Sequence, residues 1–188
     1  PALNGERNAQ VCPLVQGEAF YLQSTFRPRL AALTAKGTRI LTPLIDLSGG
    51  LDDAREPLLQ TARQMGVSKK IAETAFRKAR DIMQACLQEM KMIGRKALAE
   101  LESDPSKIGV VLFARPYNGF VQEAHMGIPH KFASRGIMVL PFDFLDFSDQ
   151  PSKHYMYWGM GQRILMATHK IVPHRQLFGT YITNFSCG

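Results

Sequence analysis

Apolar positions change rhythm along this chain, and each change marks a different kind of element. Ile71, Ala75, Ala79, Ile82, Cys86, Met90, Ile93 and Ala97 recur at steps of four and three, the repeat of one helix face. The spacing predicts a long helix running from Ser68, a residue suited to N-capping, to about Leu101. Lys70, Arg77, Lys78, Asp81, Gln84, Gln88, Lys91 and Lys96 occupy the rest of its surface. The apolar stripe, Cys86 included, is therefore expected to pack on a core. Asp104-Pro105-Ser106 ends the helix, and Ile108 to Phe113 follows as a near-continuous apolar run. Such a run suits a strand buried on both faces of a parallel sheet.

Beyond it the pattern predicts a helix over 121–134, a strand over 137–141, a helix over 154–170 and a strand over 178–183. This β-α-β-α-β order calls for parallel strands joined by right-handed crossovers. The expected fold is α/β: a three-layer Rossmann-like parallel sheet with flanking helices and one long amphipathic helix. Ligands of such sheets lie beyond the carboxyl ends of the strands. Arg115 to Asn118, Asp143 to Phe147 and Asn184 to Gly188 fall there.

Upstream the signals are weaker. Pro28 to Ala35 suggests a short helix stopped by Gly37, and Arg39 to Leu47 an edge strand or extended loop, because Pro43 cannot donate to a ladder. Leu51 to Met65 reads as a helix ended by Gly66. Three segments result: a loop-rich and helical part at 1–66, the long helix at 67–104, and the β-α-β-α-β unit at 105–188. That unit stops directly after its third strand, so the chain is expected to be a piece of a longer protein.

Composition narrows the class. The 188 residues are 45% hydrophobic and 21% charged, enough for a core of their own. No apolar run reaches the roughly 20 residues of a membrane-spanning helix, and a cytoplasmic location without membrane attachment is expected. The formal charge is +7, but Lys and Arg are interspersed with acids rather than gathered in a block, which argues against nucleic acid. An odd count of three cysteines forms no disulfide framework and points to reduced thiols.

Few residues carry candidate chemistry. Neither a G-x-G-x-x-G fingerprint nor a phosphate-cradling Lys-Ser/Thr loop is present, and there is no Ser-centred nucleophile elbow. Cys12, held in a Cys-Pro turn, and Cys187, in a turn bounded by Gly188, are open to two readings, inert thiol or metal ligand. Cys86 reads as a small core hydrophobe. The five histidines show no ligand spacing, although His125 and His130 flank Pro129. Arg115, with Tyr117 and Asn118 beside it, suits either a bound phosphate or carboxylate or a tie to nearby carbonyls.

Taken together, Cys12-Pro13-Leu14-Val15-Gln16-Gly17, Arg115-Pro116-Tyr117-Asn118, Gly127-Ile128-Pro129, Tyr157-Trp158, Arg163-Ile164-Leu165 and Thr183-Asn184-Phe185-Ser186-Cys187-Gly188 form an ordered set. This set resembles the CoA-substrate-specific enzyme activase family, related to 2-hydroxyglutaryl-CoA dehydratase and its activator. The resemblance implies a region that follows actin-like ATPase modules and is akin to cluster-carrying dehydratase subunits. It further implies Cys12 and Cys187 as thiolate ligands of a 4Fe-4S cluster in the full-length protein, used for ATP-coupled low-potential electron transfer. The implied partners are the ATPase and cluster-binding modules of the same chain and a dehydratase-type acceptor. The family usually has Gly before Arg-Pro-Tyr-Asn, where this chain has Ala114, a substitution that would strain a backbone of positive φ.

The fragment itself is expected to be non-catalytic. Two other readings stand beside the cluster: a domain that holds a CoA-like ligand through Arg115, Tyr117 and Asn118, and a scaffold whose long helix docks a protein partner with its stripe only partly covered.

Overall fold

The apolar run after Asp104 becomes strand β1 (Gly109–Ala114), and all six of its residues are buried. The computed structural model describes residues 10–183. Strand β1 lies in the middle of a three-stranded parallel sheet, between β2 (Met138–Pro141) and β3 (Leu177–Ile182). Gly109 stands opposite both Met138 and Leu177, so the three strands start level.

Both faces of β1 are covered because its residues alternate sides. Val111 and Phe113 enter a cluster with Leu101, Leu140, Phe142, Leu145, Phe147, Met166, Ala167 and Ile171. Leu112 and Ala114 face a smaller cluster with Ile182, Ile128 and Val139. One side is thus roofed by the end of helix α4 (Lys69–Glu102) and by α8 (Gly159–Ile171), the other by α7 (Ile128–Ala133). This is the expected three-layer α/β arrangement.

The chain divides into two compact units: residues Pro1–Ile82 with Tyr155–Gly159, and Met83–His154 with Met160–Gly188. The first contains α1 (Pro13–Thr25), α2 (Arg27–Ala35) and α3 (Arg55–Gln64), which follows a 3-10 turn over Leu51–Ala54. Helix α1 is not visible in the hydrophobic pattern, and neither it nor α2 buries any residue. The segment from Arg39 to Leu47 forms no strand. An ion pair joins Arg55 to Glu73, and Arg80 bonds both Asp52 and Asp81. Tyr157 and Trp158 belong to this unit through a short bridge in which the Gln10 amide donates to the Tyr157 carbonyl at 2.8 Å.

Helix α4 has the expected length, but its packed face is not the expected one. Ile71, Ala75, Ala79, Ile82, Cys86 and Ile93 are exposed, and only Met90 and Ala97 of the stripe are half-buried. The covered residues are their successors: Ala72 and Gly94 are buried, while Phe76, Arg80, Leu87 and Leu98 are half-buried. One residue is roughly 100° around a helix axis, so periodicity found the helix and missed its orientation. The cause in the second unit is a close approach at Gly94, where a Cβ would overlap the Phe144 carbonyl oxygen. No residue larger than glycine allows that contact, and it turns Gly94 rather than Ile93 inward. Cys86 is consequently exposed and not the core hydrophobe expected of it.

The predicted helix over 121–134 is broken into α6 (Gln122–His125) and α7, and the loop expected before it holds the short helix α5 (Pro116–Phe120). Met126 and Gly127 take left-handed φ values of 49° and 72° between α6 and α7. The turn is stabilised by His125, whose Nδ1 accepts the Gly127 amide at 3.0 Å.

Gly94→Ala tests the close approach. In an open helix this change gains about 1 kcal/mol. Here the overlap with Phe144 should reverse the sign and destabilise by about 1–3 kcal/mol. Chemical denaturation of the two proteins reads the difference directly.

Candidate functional site

At the carboxyl edge of the sheet, Ala114 stands opposite Ile182 and Leu112 opposite Pro141, so three loops leave at similar height. The strand order β2-β1-β3 reverses direction at β1 and β3, which is where doubly wound sheets open a crevice. Ala114 is an ordinary strand residue. Met126 is the one non-glycine residue of positive φ among the described residues, so alanine before Arg115 introduces no strain.

The loop after β1 is a tight turn. Arg115 is extended (φ −65°, ψ 148°), and Pro116 opens α5, where its missing N–H and fixed φ cost nothing. The amides of Asn118 and Gly119 both donate to the Arg115 carbonyl, at 2.8 and 2.9 Å. Arg115 Nη1 donates to the Tyr117 hydroxyl at 3.0 Å. Asn118 is 1% exposed, and its Oδ1 is a buried acceptor with no hydrogen-bond partner. Leaving such an atom unpaired costs about 1–3 kcal/mol. Arg115, Tyr117 and Asn118 lie in one turn.

After β2 the chain makes a 3-10 turn over Phe142–Phe144. Asp143, with 9% of its side chain exposed, accepts a 2.6 Å hydrogen bond from Arg163 Nη2 on α8. The Arg163 guanidinium also lies 5.6 Å over the Phe142 ring. Burial pushes the Asp143 carboxyl above its ordinary value of 3.8 and outweighs the opposing pull of Arg163. The sequence held a faint signal for this pair: an Asp just past a strand and an Arg in the first turns of the next helix.

The cysteines lie elsewhere. Cys12 precedes α1 at its N-cap position, partly exposed, with Pro13 next and no side-chain capping bond. Cys187 falls outside the described residues, so the geometry that would pair it with Cys12 is not on view. His125 serves the turn described above, and nothing brings His130 to it. Among the described residues no three of His, Cys, Asp and Glu are grouped as a metal site would require. A 4Fe-4S cluster usually takes four thiolates. The described residues thus fit one corner of such a cluster, Cys12, and not a closed site.

The family model for the CoA enzyme activase uncharacterised domain (DUF2229) matches residues 2–145. The chain belongs to that family. The match includes Cys12, the whole of α4 and the Arg115–Asn118 turn, and it ends within the loop after β2. No curated protein and no solved structure matches. Among the described residues of this CoA enzyme activase domain, no helix is long and apolar enough to cross a membrane.

The direction of the Asp143 shift gives a test. A carboxyl whose folded pKa is raised stabilises the fold below its unfolded pKa, and that contribution is lost as pH rises through the folded value. Asp143→Asn removes the titration. The variant should therefore gain stability relative to the parent as pH climbs from below 3.8 toward neutrality. Urea unfolding across that range measures the slope, and a relative loss with rising pH would show that Arg163, not burial, dominates.

Proposed function

We propose that this domain helps hold an iron-sulfur cluster within a longer activase-like protein that couples ATP hydrolysis to low-potential electron transfer. Membership of the CoA enzyme activase family over residues 2–145 carries the reading. Cys12 supports it: a partly exposed thiol at the head of a 13-residue helix, within reach of a ligand from solvent. Cys187, placed by the sequence just after β3, would be a second ligand, with the remaining ligands supplied from outside this chain. Bound there, the cluster would supply the electron. The chain's own contribution is ligation and a protein shell around the sulfurs, and burial and hydrogen bonds in such a shell tune the potential. ATP hydrolysis belongs to other modules, and the acceptor would be a dehydratase-type protein in the cytoplasm.

Anaerobic reconstitution of the full-length protein tests this. Iron, acid-labile sulfide and the electron paramagnetic resonance signal after reduction should fall sharply in Cys12→Ala and in Cys187→Ala. Unchanged iron content in both variants would remove these cysteines from the cluster.

A second reading, a scaffold that docks a protein partner through α4, is favoured by one observation. Ile71 (63%), Ile82 (69%) and Ile93 (49%) are all exposed on that helix. Ile82→Glu should change the unfolding free energy of the chain by no more than about 0.5 kcal/mol. Under this reading it also weakens co-elution with the ATPase modules, whereas full co-elution would sink the scaffold.

A further inference from the structure

Helices α1 and α2 are rich in apolar residues, yet neither buries one. Leu14, Val15, Phe20, Tyr21, Phe26 and Leu33 are all exposed. At about 100° per residue, Val15, Phe20 and Tyr21 fall on different sides of α1, and a helix that is apolar all round belongs in an interior. Helices of fewer than about 12–15 residues are marginal in water unless packing holds them, and α1 and α2 have 13 and 9. The two helices therefore call for a permanent cover.

Charge selects the kind of cover. Between Gln10 and Ile45, Arg27, Arg29, Lys36 and Arg39 stand against a single acid, Glu18. Among the described residues the ion pairs begin at Asp52, and none of these four cations takes part in one. Farther along, Arg55, Arg80 and Arg163 each have a carboxylate. A groove of about 540 Å³ is bounded by α1, α2 and the segment after Gly37. Phe20, Leu30 and Ile40 form its apolar walls, and Arg27 is its one charged lining residue. A second copy of a chain at +7 would bring like charges together here. An anionic bilayer takes helices whose apolar and basic residues lie on opposite faces, and α1 and α2 do not separate them.

We propose that this groove holds an acidic amphipathic helix from another module of the longer protein. Its apolar stripe packs on Phe20, Leu30 and Ile40, the helix-in-groove mode of recognition, and one of its carboxylates meets Arg27. This docking rests on the reading that the domain is part of a longer protein, but it needs no cluster. Iron lost from the cysteine variants bears on the cluster alone, so either reading can fail by itself.

Zero-length carbodiimide coupling in the full-length protein tests it. Arg27→Lys keeps the charge and puts a coupling amine in the groove. The cross-link should join that amine to an Asp or Glu outside the 188 residues of this chain, and Cys12→Ala should leave it in place. Its yield should be the same at protein concentrations that differ by roughly fiftyfold. Arg27→Glu should speed hydrogen exchange of the α1 and α2 amides by roughly tenfold or more. Position 27 begins α2, where an acid favours the helix, so faster exchange reports a lost partner rather than a weakened helix. A cross-link only to carboxylates within these residues, one that forms only at the higher concentration, no cross-link at all, or exchange unaltered by Arg27→Glu would each overturn the proposal. Binding to phosphatidylserine vesicles that Arg27→Glu abolishes would overturn it too, by assigning the surface to a membrane. Should Arg27→Glu fail to fold, the cross-link still decides.

Discussion

Burial of β1 on both faces, with a hydrogen-bonded strand on each side, is the constraint on which the second unit depends. Fully burying a Val, Leu or Phe side chain contributes about 1.5–3 kcal/mol, and β1 supplies four of them in succession, Val110 to Phe113. Because neither face sees water, every polar group near its end must be placed deliberately. Helices α4 and α8 cover one face and α7 the other. Within this unit the buried strand gives way to polar residues where β1 stops, and Arg115 is the first residue past that point.

The sheet's carboxyl edge then shows two ways of keeping polarity out of water. Asp143 and Arg163 answer each other, with the guanidinium resting on Phe142, so the charge removed from solvent is paired. Asn118 lacks such an answer at Oδ1. A penalty of about 1–3 kcal/mol is a large share of a marginal stability. One polar group at this edge is answered within the fold, and the other has no partner among the described residues.

Much of the second unit was legible in the sequence because its signals are local. The apolar run at Ile108 to Phe113 gave a doubly buried strand, and the alternation of strands and helices gave the parallel order. Periodicity alone gave the length of α4 and could not give its orientation, since Ile93 and Gly94 differ by one residue and the winner is set by a tertiary contact with Phe144. The broken helix after Asn118 was hidden for the same reason: its turn is held by a His125 side chain bonding the Gly127 amide. Arg115, Tyr117 and Asn118 could be placed at the end of β1 because they follow a strand that could be recognised. The Asp143–Arg163 pair was not, because a spacing of 20 residues has meaning only once β2 and α8 are packed together.

The exposed stripe of α4 follows from the same geometry. Gly94 fixes the rotation of the helix in the second unit, and Leu98 and Leu101 go into or against the core with it. Once those residues face inward, Cys86 and Ile93 cannot, since one residue step separates each from a covered neighbour. An apolar side chain left in water forfeits the transfer energy that its burial would bring, and in this rotation the burial of Leu101 and the packing of Leu98 stand against the exposure of Ile93. The exposed stripe is thus a consequence of how the sheet's second loop packs, and any surface that covers it has to accept the orientation that Gly94 imposes.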